Sequence, residues 1–167
     1  MIRKATQQDF DFVYRLYMHP HVNRFLLYEM MSAEVFKPIF DDLLKNNVKY
    51  IFENDGIPVG MCKLVPNVHR AAHIVYLGGL AIHPDFNEKG YGFSMMKEII
   101  QYSEQRGFLR IELSVSLTND KAQHLYEKAG FKKEGILRKY THLRSENKFI
   151  DEVFMSWLSE KLNDAIG

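Results

Sequence analysis

The chain has 167 residues, 46% of them hydrophobic and 26% charged. That length and mixture suit one soluble domain, 1–167, around one sizeable core. Lys plus Arg number 22 against 21 for Asp plus Glu, so there is no basic excess of the kind a nucleic-acid binder carries. A single cysteine, Cys62, excludes an internal disulfide and fits a reducing compartment. The chain shows no signal peptide and no apolar run of about 18 residues. A cytoplasmic protein without a membrane partner is the expectation.

In chain order, Ile2 to Ala5 reads as a short strand. Thr6 reads as a helix N-cap, with Asp9 favouring the positive helix end. Phe10, Val13, Tyr14 and Tyr17 follow at helical spacing, and His19-Pro20 should stop the helix. A second helix is predicted after Ser32, carrying Val35, Phe36, Ile39, Phe40 and Leu43, with Pro38 as a kink or a later start. Val48 to Glu53 and Pro58 to Val65 read as strands around the hairpin turn Asn54-Asp55-Gly56. His73 to Ile82 is a longer strand. Phe93, Met96, Ile99 and Ile100 mark a helix that Gly107 ends. Arg110 to Ser116 alternates as a strand, and Asn119 to Lys128 is a short helix. Ile136 to Leu143 and Phe149 to Leu158 form a closing hairpin. The order predicts an α/β (α+β) fold: a mixed, mostly antiparallel sheet of about seven strands with helices on both faces.

Two constellations carry chemistry. Asn87-Glu88-Lys89-Gly90-Tyr91-Gly92 joins a long strand to a helix. Its two glycines permit a tight turn and close approach to a ligand. The first N–H groups of the helix lack internal acceptors and bear partial positive charge, so successive amides from Glu88 to Phe93 can cradle a pyrophosphate. A dinucleotide fingerprint fails because Met95 stands at its third glycine, and no Gly-Lys-Ser/Thr exists for a P-loop. The same loop can also be a plain turn that starts a helix. The second constellation is Asn119, Ala122 and Tyr126, which share a helix face at i, i+3 and i+7. Asn119 also reads as an N-cap and Tyr126 as a partly buried aromatic.

Together these residues resemble the GCN5-related N-acetyltransferase superfamily. Leu80-Ala81-Ile82-His83-Pro84-Asp85-Phe86 with Gly90-Tyr91-Gly92 is similar to its acetyl-CoA motif. Asn119-Asp120-Lys121-Ala122-Gln123-His124-Leu125-Tyr126-Glu127-Lys128-Ala129-Gly130-Phe131 is similar to its second motif. The ending, Glu134 to Arg138 and Asp151 to Met155, resembles the branch acting on amino acids or protein N-terminal amines. The resemblance implies acetyl-CoA as co-substrate, no metal, and a small-molecule amine as acceptor. It implies a pantetheine arm added along Leu80-Ala81-Ile82 where the two central strands splay apart. An N–H near Leu80 would stabilise the oxyanion, Tyr126 would protonate the leaving thiolate, and Asn119 and Lys128 would contact the cofactor. Glu88, Lys89, Gly90, Tyr91, Gly92 and Phe93 would hold the diphosphate. A dimer through the last strands is common among such proteins. Asn87 departs from the family's usual Gln or Arg, which puts the loop's own contacts in question. A protein N-terminal acetyltransferase and a catalytically silent CoA-binding module are the alternatives.

The acceptor must lose a proton before it attacks. An α-amine, at a pKa of ~8, loses it more readily than a lysine-type amine at ~10.4. Many members of the family place a carboxylate on the fourth strand to help. Here that stretch is Tyr76-Leu77-Gly78-Gly79, without one, which favours an α-amine. Glu112, on the next strand, and His73 are the candidate bases, although a structural role is the stronger reading for each.

Overall fold

The computed structural model describes residues 1–164; the last three residues of the expected domain lie outside the described residues. Seven strands form one mixed sheet in the order β1-β2-β3-β4-β5-β7-β6. They are β1 (Ile2–Lys4), β2 (Lys49–Asn54), β3 (Ile57–Pro66), β4 (Ile74–Ile82), β5 (Arg110–Ser116), β6 (Lys132–Leu143) and β7 (Lys148–Leu158). The helices are α1 (Phe10–Tyr17), α2 (Pro20–Asn23), α3 (Ala33–Lys45), α4 (Tyr91–Gln105), α5 (Asp120–Lys128) and α6 (Lys161–Asp164). All sheet neighbours run antiparallel except β4 and β5.

Two buried clusters cover the two sheet faces. On one, Met95, Met96 and Ile99 of α4 and Tyr126 of α5 pack with Tyr50, Cys62, Leu77, Leu113 and Met155. On the other, Val13, Leu16 and Tyr17 of α1 join Phe36 and Phe40 of α3 over Ile51, Met61 and Ala81. Strand alternation sends Tyr50 and Ile51, or Met61 and Cys62, to opposite faces.

Three local expectations are refined. Thr6 opens a 3-10 turn, Gln7–Asp9, before α1. The Asp9 carboxylate is 5% exposed and accepts from the Thr6 N–H at 2.7 Å and from the Arg3 guanidinium at 2.8 Å. It therefore ties β1 to α1 rather than serving only the helix dipole. Ser32 caps α3 through Val35 N–H, and Pro38 lies within that helix without ending it. The His19-Pro20 stop is followed at once by α2, with Pro20 at its first position, where a missing N–H costs nothing.

The sheet opens where the ligand is expected. β4 and β5 pair only over Ile74–Tyr76 against Arg110–Glu112, although both strands continue. On the other side of β4, Lys63 pairs with Gly78 and Met61 with Ala81. Gly79 and Leu80 thus stand opposite Cys62 alone, which is a β-bulge. Gly79 takes φ +55° there, a left-handed conformation that glycine adopts without steric cost.

Candidate active site

The splay between β4 and β5 opens into a cavity of about 840 Å³. Residues 76–82 form one wall and residues 113–116 the facing one, while the start of α4, α5, α2 and the β6–β7 hairpin complete it. At one end, Glu88 (φ +63°) and Gly90 (φ +79°) are both left-handed, and Gly90 caps α4 without a side-chain bond. An added Cβ at Gly90 would meet no heavy atom within 4 Å. The space beside Gly90 is therefore open, and the first amides of α4 lack acceptors within their own helix, the combination that an anion site requires. Gly92 has a packing reason instead: a Cβ there would come 3.3 Å from Leu125 of α5.

Of the residues singled out in the sequence, Leu80, Ala81, Ile82, Glu88, Gly90, Tyr91, Gly92, Phe93, Asn119, Tyr126 and Lys128 all line this cavity. Lys89 does not: its ammonium donates to the Asp85 carbonyl at 3.2 Å and lies over the Phe86 ring. Asn119 is the N-cap of α5, its Oδ1 accepting from Ala122 N–H at 3.2 Å. That leaves its amide nitrogen as the group available to a ligand. The Lys128 ammonium lies 4.7 Å from the Phe93 ring centroid, which places it beside the helix start.

Tyr126 is 8% exposed. Burial pushes its phenol above the ordinary value, with Tyr76 as a second contributor. It is therefore a protonated donor at neutral pH. Tyr76 shares a hydrogen bond with Ser114 at 3.1 Å, across the splay.

The two candidate bases lie elsewhere. Glu112 is bound to Arg110 at 2.7 Å, and Arg110 also grips Glu134 through both terminal nitrogens. His73 offers its carbonyl to the amides of Leu109 and Arg110. Neither lines the cavity. The carboxylates that do are Glu88, in the loop, and Glu152, on β7. Glu152 accepts from the Thr141 hydroxyl; the Tyr76 phenol is raised above its ordinary value chiefly by burial, with Tyr140 and Glu152 as smaller contributors. Sequence reasoning did not assign Glu152. Its strand was legible, but the pairing that brings it opposite Ser116 was not. A bulge on β6 between Leu137 and Thr141 completes this wall. Lys139 is left-handed there and gives its N–H to Asp151 at 2.7 Å, so the adjacent residues Tyr140 and Thr141 both reach the cavity.

A splayed pair of central strands, an amide-rich turn and a buried phenol meet in this one cavity. The family model for the acetyltransferase (GNAT) family matches residues 10–131, and the chain belongs to that family. It is 25% identical over 143 residues to an uncharacterised N-acetyltransferase of Methanocaldococcus jannaschii, an overlap of 82% of this chain and 62% of that protein. The chain thus spans less than two thirds of that relative's length. A spermidine N-acetyltransferase of Vibrio cholerae, solved with CoA and spermine, superposes with a TM-score of 0.83 at 20% identity, covering 96% of each chain. A ribosomal-protein-alanine N-acetyltransferase of Brucella melitensis gives 0.78 at 18% identity, covering 95% of this chain and 99% of that one. No helix among the described residues is long and apolar enough to cross a membrane.

Proposed function

We propose that the protein transfers an acetyl group from acetyl-CoA to a primary amine of a small molecule, an amino acid foremost, in one ternary complex. The observation that carries this is one continuous cavity joining the Gly90 turn to Tyr126 through the β4–β5 split. Acetyl-CoA supplies the activated thioester. The amides from Glu88 to Phe93 hold its diphosphate, and β4 beyond the bulge offers backbone groups to its amide-bearing arm. The Leu80 N–H polarises the acetyl carbonyl. The acceptor nitrogen bonds to that carbon as the carbon–sulfur bond breaks, and Tyr126 gives its proton to the departing sulfur. Tyr126 recovers a proton from the acylated nitrogen, so the phenol is unchanged after each cycle. The proton that the ammonium sheds before attack leaves by way of Glu152 or solvent. The Lys128 ammonium lies beside the cradle, over Phe93, and the Asn119 amide lines the same cavity.

Two measurements test the proposal. CoA should raise the melting temperature, since a ligand that binds only the folded state stabilises it. Thiol release from acetyl-CoA should then depend on an added amine. Binding without turnover across amino acids, polyamines and N-terminal peptides would identify a CoA-binding module. The absence of any CoA-dependent shift would end the assignment.

A further inference from the structure

The acceptor end of the cavity is unusually furnished for a site that must receive an ammonium. Where a carboxylate is missing from β4, a lysine faces the gap from β3. Lys63 lines the cavity and pairs in register with Gly78. A Cβ added to Gly78 would come 3.5 Å from Cε of Lys63 and 3.2 Å from Cε1 of Tyr76. The lysine stem and the Tyr76 ring therefore flank one bare patch of backbone, kept open because residue 78 has no side chain. Tyr76, Glu152 and Tyr126 all line the same cavity.

Lys63 has no hydrogen-bond or ion-pair partner among the described residues. Half-burial already works against its charge, and its pKa is lowered on that account. Its charged neighbour is Lys49, which is of the same sign. A half-buried ammonium without a carboxylate is poorly solvated and gains from an incoming anion. Arg24 adds a second cation to the lining near α2. Glu152 supplies the opposite charge to the same lining. The cavity thus presents a cation, an aromatic ring and an anion together.

We infer that Lys63 is the anion anchor of the acceptor subsite, so that the preferred acceptor is a zwitterion: a primary amine carrying a nearby free carboxylate. The amine lies toward Glu152 and Tyr126, the carboxylate toward Lys63. A polyamine has no group for Lys63 and meets its repulsion. A protein N-terminus has lost its α-carboxylate to the peptide bond. This inference rests on the acetyl-transfer reading above and narrows it.

The test is a matched pair of acceptors, an amino acid and its carboxamide, assayed by thiol release with wild type, Lys63→Gln and Lys63→Arg. Wild type should favour the free acid in kcat/KM by about tenfold to a hundredfold, the range of one charge-assisted hydrogen bond. Lys63→Gln should lose that factor on the acid, mainly through KM, and change the carboxamide by less than about twofold. Lys63→Arg should keep most of the preference. Equal losses on acid and carboxamide would mean a structural lysine and overturn the inference. So would wild-type preference for spermidine or a peptide over any amino acid, while leaving acetyl transfer itself established. If no amine is acetylated although CoA binds, both the transfer reading and this inference fall.

Discussion

Lys49→Met should make the protein more stable. Lys49 is 1% exposed, on β2 behind the Gly79 bulge, and its ammonium donates one hydrogen bond, to the Tyr17 hydroxyl at 3.0 Å. Tyr17 and Tyr28, Cys62 and Lys63 surround this region, and no carboxylate is among them. Burial lowers the Lys49 pKa to about 7, whereas an unfolded lysine holds its proton to ~10.4. At pH 7 that difference costs the folded state about 4 kcal/mol. Methionine removes the cost with a similar shape, at the loss of one hydrogen bond worth about 1 kcal/mol. A net gain of about 2–3 kcal/mol follows, readable as a shift in the urea midpoint at unchanged slope. The pH dependence gives a second signature. Between pH 7 and 8.5 the unfolded chain keeps a proton on Lys49 that the folded protein releases, so wild-type stability should rise with pH, by about 1–2 kcal/mol. From about pH 8 upward the buried Cys62 thiol, pushed up to about 12, acts oppositely and flattens the rise, because the unfolded thiol ionises near ~8.5. The methionine variant should lack the rise. A variant that is less stable than wild type at pH 7, or that keeps the same slope, would refute the claim that this lysine is buried at a cost.

Tyr126→Phe should lower kcat by about a hundredfold or more, the contribution of a positioned general acid, with CoA affinity by calorimetry within about twofold. Full activity across pH would remove the phenol from the reaction. Gly90→Val should weaken CoA binding more than about tenfold, because a branched side chain fills the open mouth of the cradle. Since a Cβ there touches no protein atom within 4 Å, lost affinity reports the ligand space plus the strain at φ +79°. Unchanged affinity would discard the cradle. Gly79→Ala should cost about 2–3 kcal/mol, from strain at positive φ together with steric overlap. Its Cβ would stand 2.7 Å from the Tyr17 hydroxyl oxygen. The same substitution in a Tyr17→Phe background should cost less, and additive melting shifts would show that the hydroxyl is not what the glycine accommodates.

Much of this protein is written in local sequence. Apolar spacing along α1, α3 and α4 and alternation along β5 follow from which face each residue must bury, so the elements and their order can be read directly. The proposed cofactor end is legible for the same reason: backbone amides at a glycine turn and Asn119 to Tyr126 on one helix are fixed by residues close together in the chain. Even there, Lys89 lies in the legible loop and still turns its side chain back to Asp85. The proposed acceptor end was decided only by tertiary structure. Glu112 and His73 were plausible bases by strand position, but an ion pair with Arg110 and distance from the cavity remove them. Glu152 and Lys63 become neighbours of one aromatic ring through pairings between strands far apart in sequence and through bulges in β4 and β6. A bulge changes which side chain faces a cavity by adding one residue opposite another. The pattern of a single strand cannot reveal it, because it exists only in the register with its partner.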